Sequence, residues 1–266
     1  MAPCGYCMYE QPANFNPPKK DKHQPLKSGE DEKFYRAAMS MSNTTTEICG
    51  RVLIDFGLRC GELAHTLPDW VGTAHDTETG ETKWYIRIPR KAYCTGGVGA
   101  VGRSNPDGAD LYETGDSCSV CRHRTHESKV GDGGWLDKAD AVEYDFHPKT
   151  LNSIGRTWAL PNQNCKRTAQ KLSNLLDAHG KFPLSNGSVN RHVAKIAEES
   201  DLERHVTPHA LRHTYGCRLA GQGVSLNVIM SQMRHGDLSM AQWYTELRGE
   251  RQREALERDW DEGIVF

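Results

Sequence analysis

Residues 207–216 read TPHALRHTYG and place two histidines and an arginine within five positions. Thr207 is a favoured helix cap and Pro208 is favoured at the first helical position, so a helix is predicted to begin here. His209 and Arg212 then lie one turn apart on one face, near the positive end of the helix dipole. A helix start with these residues favours binding of an anion, and phosphate is the anion that fits it best. A solvated polar helix start is the alternative for this segment alone.

The chain has 266 residues, enough for one large domain with its own hydrophobic core. Its mean hydropathy is -0.69, and no apolar run approaches the roughly 20 residues of a membrane span. The N-terminal sequence MAPCGYCMYE has no basic-then-apolar signal pattern. We therefore expect a cytoplasmic protein with no membrane partner. The formal net charge of -2 gives nucleic-acid binding no support, so such a role must depend on local clusters of charge.

Helical patterns lie on both sides of residues 83–160. Ser28 with Asp31 resembles a capping box ahead of a first helix. A second helix is predicted from Thr44 to about Gly57, with apolar residues at helical spacing. Further helix boundaries are predicted at Gly180, Ser188, Thr207, Ser225 and Ser239.

Two segments have the pattern of strands, KWYIRIP at 83–89 and GRTWALP at 155–161. If they pair, the Gly- and Asp-rich residues between them, about 90–147, form an insertion in a β-hairpin. A loop of this length is uncommon without a function or a local crosslink. The predicted fold class is mainly α with a small antiparallel β-hairpin or sheet. Residues 1–27 are predicted to be a flexible tail carrying a CxxC pair, and residues 28–266 the domain itself.

Further residues extend the pattern around His209 and Arg212. Arg59 lies upstream in FGLRCGEL, His235 lies downstream, and Tyr244 follows His235 by nine positions. The set resembles the tyrosine recombinase or integrase family, which includes phage integrases, Cre and Xer proteins. The matching elements are a Gly-Leu-Arg-x-x-Glu-Leu box, His-x-Leu-Arg-His, and a histidine turn followed by the tyrosine. The resemblance covers roughly residues 28–250 and implies the catalytic-domain fold of that family.

The resemblance also implies a role for each matched residue. Arg59 and Arg212 would clamp the non-bridging oxygens of a phosphodiester. His209 and His235 would donate further hydrogen bonds, and one of them would help to accept the tyrosine proton. Tyr244 would attack phosphorus to give a 3′-phosphotyrosine and a free 5′-hydroxyl. This chemistry needs neither ATP nor a divalent metal. Without the resemblance, Tyr244 would instead be interpreted as a buried aromatic residue.

The leaving 5′-oxygen needs a proton donor, which in this family is a lysine near the β-hairpin turn. Three lysines are candidates, namely Lys83, Lys91 and Lys149. Lys149 is favoured because it precedes the second predicted strand, as in relatives, whereas Lys83 begins the first strand on the wrong side of the turn. The alternative for Lys149 is a solvated loop lysine. A rival nucleophile, Tyr215, lacks the matching spacing.

The sequence departs from the family pattern at its N-terminus and at the residue before His235. Only about 27 residues precede the predicted domain, where most relatives have an N-terminal helical domain that clamps DNA. We therefore expect either a minimal recombinase or one that uses a partner chain as its clamp. Arg234 occupies the position before His235 where glycine is usual, and it adds a cation near the phosphate path.

Three of the cysteines lie in the predicted insertion, at Cys94, Cys118 and Cys121. The chain has nine cysteines, an odd number that argues against a complete set of disulfides. Cys94, Cys118 and Cys121 with His123 or His126 supply the ligands of a tetrahedral structural zinc site. A metal would explain how so long a Gly-rich insertion stays ordered. A cysteine-bearing insertion here also resembles that of some haloarchaeal or proviral integrases.

Two alternatives to this zinc site remain. The tail pair Cys4 and Cys7 could join Cys118 and Cys121 in a four-cysteine site, or the chain could bind no metal. The remaining cysteines lie in helical or apolar contexts and are predicted to be core thiols: Cys49, Cys60, Cys165 and Cys217.

Contact with DNA is expected from basic residues in the helical stretches, although each could be a solvated surface charge. The candidates for phosphate contacts are Lys166, Arg167, Lys171, Arg191 and Lys195. The charged segment 246–260 has the composition of an amphipathic helix, which in relatives docks on a neighbouring subunit. That resemblance implies a homo-oligomer, a tetramer on DNA. A terminal helix packed on its own chain is the alternative.

These features favour a site-specific recombinase or integrase that cleaves and rejoins double-stranded DNA through a 3′-phosphotyrosine. A nicking-closing enzyme similar to type IB topoisomerases would use the same residues without strand exchange. A zinc-dependent DNA-binding regulator with a vestigial active site is a third interpretation, which the complete catalytic set disfavours. A metal-dependent phosphohydrolase is disfavoured because no carboxylate cluster accompanies the histidines.

Overall fold

The computed structural model describes residues 23–92, 94, 118, 121, 131, 146–236, 238, 241–246 and 249. Several predictions fall outside these residues: the helix start at Ser239, the cysteines Cys4 and Cys7, the histidines His123 and His126, and nearly all of the segment 246–260. Packing begins within the predicted tail, because Leu26 is fully buried and its N–H donates to Thr214 Oγ1 at 2.9 Å.

The described part of the chain is mainly helical, as predicted. Its helices are α1 (Glu30–Ser40), α2 (Thr44–Phe56), α3 (Cys60–Ala64), α4 (Gln163–His179), α5 (Asn186–Glu199), α6 (Pro208–Gly221) and α7 (Leu226–Met233). Residues 241–246 are also helical. Helix α2 is central, and α1, α4, α5 and α6 all pack against it. Within the part of the chain that the structure describes, no helix is long and apolar enough to cross a bilayer.

Caps and glycines set the ends of the central helices. Asn43 begins α2 by accepting from the N–H of Thr46, and Gly57 ends it in the left-handed conformation at φ 59°. Helix α6 begins as predicted, since Thr207 Oγ1 accepts from the N–H of Ala210 at 3.2 Å. Gly180, at φ 71°, ends α4 as predicted. These ends hold because the cap residues satisfy backbone groups that the helices leave unpaired.

Two predicted caps are wrong. Helix α5 is capped by Ser185, whose hydroxyl accepts from the N–H of Ser188 at 3.2 Å, so Ser188 lies within the first turn. Helix α1 follows Gly29, and Ser28 makes no cap. Instead, the side chain of Glu30 accepts from the N–H of Lys27 at 2.8 Å.

A three-stranded antiparallel sheet has the order β1 (Val71–His75), β2 (Thr82–Ile88) and β3 (Gly155–Trp158). The predicted pairing of the last two strands is confirmed, with Tyr85 opposite Trp158 and Ile88 opposite Gly155. Strand β1 was not predicted. It is short and half-exposed and contains a glycine, so its alternation is weak.

The core has two hydrophobic clusters, and helix α6 contributes to both. Ala210 and Leu211 belong to the large cluster around α2, whereas Tyr215 and Leu219 belong to a smaller one with α7 and Tyr244. The stretch from His209 to His213 therefore lies where the two clusters meet. Of the predicted core thiols, Cys49, Cys165 and Cys217 are buried, whereas Cys60 is only half-buried.

Candidate active site

Segments that are far apart in sequence meet around Arg212. Its guanidinium donates from one terminal nitrogen to the carbonyl of Gly57 and from the other to the carbonyl of Met233. Gly57 lies two residues before Arg59, and Met233 lies two residues before His235. Arg212, which is 1% exposed, therefore holds the loop that leads to Arg59 against the turn that leads to His235.

A second junction is formed by Glu62, which binds two arginines. Its Oε1 accepts from Arg59 Nη1 at 2.7 Å, and its Oε2 accepts from Arg234 Nη2 at 2.6 Å. Burial raises the pKa of Glu62, but Arg234 and then Arg59 act against it and lower this pKa to about 2. The ionised carboxylate therefore fixes Arg59 at the start of α3 and Arg234 after α7.

Arg234 has a conformation that explains why glycine is usual at its position. Its φ of 50° and ψ of 51° lie in the left-handed region, which a side chain disfavours. The side chain is buried, and among the described residues its Nε has no hydrogen-bond partner. The sequence predicted that Arg234 adds a positive charge near the phosphate. The guanidinium of Arg234 does lie in this region, but it is paired with Glu62.

The histidines of this region have depressed pKa values because they are buried among cations. Burial, followed by Arg212 and Arg59, lowers the pKa of His235 to about 2. Burial, followed by His209 and Arg212, lowers the pKa of His213 to about 2. Both imidazoles are therefore neutral at pH 7, and each can accept one proton or donate one hydrogen bond.

His209 lies at the open side of the same region and keeps part of its surface accessible to solvent. Desolvation, followed by the charges of Arg212, His23 and Lys149, lowers its pKa to about 4. Its ring meets that of His213 edge to face, with centroids 4.4 Å apart. His23 packs on the opposite edge of His209 at 5.5 Å and was not among the predicted site residues.

Tyr244 is fully buried beside these groups, in the helical segment 241–246. Its hydroxyl lies 2.9 Å from His213 Nδ1. Burial raises the pKa of Tyr244 above its usual value, and the charges of Arg212 and Arg59 offset only part of this rise. Gly216 makes room for the ring, because a Cβ there would lie 2.7 Å from Tyr244 Cζ. The phenol is therefore held next to a neutral base and within the field of two guanidiniums.

No catalytic role was predicted for His213, although its contact with Tyr244 makes it a functional candidate. The signal was present, since His213 is the second histidine of the stretch 207–216. Together these groups define the cationic pocket: Arg59, His209, Arg212, His213, Arg234, His235 and Tyr244. A pocket with several cations and one carboxylate is suited to an anion, because a bound negative charge would offset the repulsion among the cations.

Lys149 is exposed in the segment that leads from Phe146 to the 3₁₀ turn Leu151–Ser153. Its charge acts on His209, which places it at the edge of the cationic pocket. A Cβ on Gly236 would lie only 1.9 Å from Asn152 Nδ2, so the turn after Lys149 packs directly on the backbone after His235. By contrast, Lys83 pairs with Asp76 at the β1–β2 turn.

The five predicted DNA contacts lie on two helices. Lys166, Arg167 and Lys171 are on α4, and Arg191 and Lys195 are on α5. Lys171 Nζ binds both carboxylate oxygens of Glu47 at 2.7 Å, which offsets its charge. Arg191 donates to Ser188 Oγ at 2.7 Å and remains exposed.

A second group of polar side chains lies at the other end of α3. His65 and the three insertion cysteines have their ligand atoms within 4.8 Å of one another, and we call this set the sulfur cluster: His65, Cys94, Cys118 and Cys121. The predicted fourth ligand, His123, lies outside the described residues. His65 was missed because it is remote in sequence from the cysteines and belongs to no spacing motif.

Part of the chain is similar in sequence to known proteins. Residues 155–251 match the model of the phage integrase family. A tyrosine recombinase from Agathobacter rectalis is 34% identical over 74 residues, which is 28% of this chain and 24% of that protein. Tyrosine recombinase XerC from Pelotomaculum thermopropionicum is 34% identical over 95 residues, 35% of this chain and 31% of that protein. The matched segments thus span less than a third of either relative.

Solved structures of similar proteins were also compared with the chain. The crystal structure of XerA recombinase has a TM-score of 0.49 at 16% identity, covering 96% of this chain and 69% of that one. The structure of a lambda integrase dimer bound to a COC′ core site has a TM-score of 0.44 at 18% identity. The match covers 87% of this chain and 50% of that one.

The matched segment contains every residue of the cationic pocket except Arg59. The chain therefore carries a tyrosine recombinase catalytic domain. Residues 155–251 of this domain are similar to the phage integrase family.

Proposed function

We propose that the chain acts as a site-specific DNA recombinase or integrase that cleaves and rejoins strands through a 3′-phosphotyrosine. The observation that carries the proposal is the contact between Tyr244 and His213 inside a pocket of buried arginines. A phenol beside a neutral base and guanidiniums is the arrangement that nucleophilic attack on a phosphodiester requires.

In the proposed cleavage step, Arg59 and Arg212 bind the non-bridging oxygens of the scissile phosphate. The oxygen of Tyr244 forms a bond to phosphorus as the bond to the 5′-oxygen breaks. In the tautomer of His213 that has its proton on Nε2, the phenolic proton passes to Nδ1. Lys149 donates a proton to the 5′-oxygen. Rejoining runs these transfers in reverse, with a 5′-hydroxyl as the nucleophile.

His209 and His235 are proposed to donate hydrogen bonds to the phosphate oxygens. Each is neutral at pH 7 and has one ring N–H to offer. Side-chain cations thus supply the charge stabilisation that a divalent metal supplies in other phosphoryl-transfer enzymes. The proposed chemistry is accordingly metal-independent, and any zinc in the protein would have a structural role.

The proposed partner is double-stranded DNA, contacted through phosphates by exposed basic residues of α4 and α5. Arg167, Arg191 and Lys195 are the strongest candidates, because Lys171 is already paired with Glu47. A homo-oligomer, a tetramer on DNA, is proposed from the family resemblance alone. Neither the topoisomerase-like nor the regulator interpretation has a specific observation in its favour.

The test is covalent capture of DNA. The protein is incubated for minutes with nicked duplexes from a randomised pool, in EDTA, which takes up free divalent metal. A denaturing gel then separates protein–DNA adducts. We expect an adduct with the wild type and with Tyr215→Phe, whose lost hydroxyl has no hydrogen-bond partner among the described residues, and none with Tyr244→Phe. An adduct that persists in Tyr244→Phe, or forms only with added divalent metal, would contradict the proposal.

A further inference from the structure

The sulfur cluster surrounds one imidazole nitrogen with three thiols. Nε2 of His65 lies 3.4 Å from Cys94 Sγ and 3.5 Å from the Sγ atoms of Cys118 and Cys121. Zinc bond lengths of about 2.3 Å to sulfur and 2.0 Å to nitrogen place tetrahedral N and S ligands about 3.5 Å apart. The three observed separations agree with that value.

The protonation of His65 also fits a metal ligand. Its Nδ1 lies 2.6 Å from the carbonyl oxygen of Gly61. A carbonyl oxygen only accepts, so Nδ1 carries a proton, and Nε2, the atom that faces the sulfurs, is the nitrogen left to bind a metal. Metal-bound histidines are commonly oriented by such a second hydrogen bond. Most of the site is buried, since His65 is 1% exposed and Cys121 is fully buried, whereas Cys94 is half-buried.

Backbone amides around the cluster point at the sulfurs. The N–H of Cys118 donates to Cys94 Sγ at 3.3 Å, and the N–H of Cys121 donates to Cys118 Sγ at 3.4 Å. Such contacts stabilise thiolates, the form of cysteine that binds metal. Two of the three sulfurs thus have a donor in place.

The cluster lies at a junction between the insertion and the catalytic domain. The N–H of Phe146 donates to the carbonyl of Ala92 at 2.9 Å, which brings the two ends of the insertion together. Phe146 packs on His65 with ring centroids 5.1 Å apart. His65 in turn follows α3, the helix that begins at Arg59.

We propose that Cys94, Cys118, Cys121 and His65 hold one zinc ion, which fastens the base of the insertion to the helix that begins at Arg59. This ligand set replaces His123 by a residue of the catalytic domain. The metal thereby joins two parts of the chain and does not merely order a loop. The ion has no part in phosphoryl transfer, so the site stands independently of the proposed recombinase activity.

The first test is elemental analysis of the full chain, with variants matched for burial. We expect about one zinc per chain in the wild type and in Cys165→Ser, a buried thiol outside the cluster, and a large loss in Cys121→Ser. Equal zinc in Cys121→Ser and wild type, bound iron in place of zinc, or a disulfide among the three cysteines would overturn the proposal.

The second test identifies the fourth ligand and does not depend on DNA cleavage. The protein is loaded with Co²⁺, and its visible and sulfur-to-metal charge-transfer absorption is compared with that of His65→Cys. We expect the spectrum of three sulfurs and one nitrogen in the wild type, and of four sulfurs in His65→Cys, with metal retained in both. Identical spectra for the two proteins would show that another residue is the fourth ligand. If His65→Cys does not fold, X-ray absorption of the zinc-bound wild type identifies the ligands instead. We expect three sulfurs and one nitrogen around zinc, and the absence of a nitrogen ligand would overturn the proposal.

Discussion

Helix α3 begins at the cationic pocket and ends at the sulfur cluster, and the two ends are assembled differently. At its start, Arg59 is fixed by Glu62, three residues along the chain, within a box that the sequence displays. At its end, His65 meets cysteines that lie 29, 53 and 56 positions away. The comparison shows that local spacing can reveal a catalytic box, whereas a ligand set gathered by tertiary packing leaves no periodic pattern.

The largest effect is expected at the residue that unites the cationic pocket. In Arg212→Lys, a single ammonium replaces a guanidinium that reaches both the carbonyl of Gly57 and the carbonyl of Met233 and that we propose binds the phosphate. We expect the cleavage rate to fall by about 100- to 1,000-fold, measured as adduct formation in single turnover. Arg218→Lys, on the same helix but paired with Asp31, should leave the rate unchanged. Equal losses in both variants would mean that the effect is on folding and not on the pocket.

A second prediction concerns the packing of the nucleophile. In Gly216→Ala, the added methyl would meet the Tyr244 ring, so we expect a loss of about 1–3 kcal/mol in unfolding free energy and slower cleavage. Gly221→Ala, at the end of the same helix, meets nothing within 4 Å and should be neutral or slightly stabilising. Urea denaturation measures both. A Gly216→Ala protein of wild-type stability would mean that Tyr244 is not held at this place.

The features that the sequence predicted are likewise those that depend on neighbouring residues, and the features it missed depend on tertiary packing. The ends at Gly57 and Gly180 and the cap at Thr207 were predictable because each depends on neighbours within one helical turn. Strand β1 was not, since its half-exposed residues alternate weakly and only pairing with β2 identifies it. For the cationic pocket, the contact of His213 with Tyr244 depends on how α6 packs against residues 241–246, which spacing alone does not specify.

A third prediction concerns pH and the buried His213. Its pKa is about 2 in the folded chain and about 6.5 when unfolded, so the unfolded state binds the proton more readily. Stability is therefore complete above about pH 6.5 and falls as the pH is lowered. His213 should contribute a slope of about 1.4 kcal/mol per pH unit. Urea denaturation from pH 7 to 5 should show a shallower slope in His213→Asn. Equal slopes would contradict the assignment of a neutral, buried imidazole.

The smallest effect is expected from the backbone of Arg234. Arg234→Ala and Arg234→Gly both remove the ion pair with Glu62, but only glycine relieves the left-handed conformation. The glycine variant should therefore be more stable than the alanine variant by about 1 kcal/mol. Thermal denaturation of the two variants measures this difference. An alanine variant as stable as the glycine variant would indicate that the turn changes shape once the pair is lost.

The most direct test of the account is to identify the residue that becomes linked to DNA. The captured adduct is digested with protease and nuclease, and the nucleotide-bearing peptide is sequenced by mass spectrometry. The account predicts a single phosphotyrosine at Tyr244. Attachment at Tyr215 or at any other residue would contradict the role assigned to the cationic pocket.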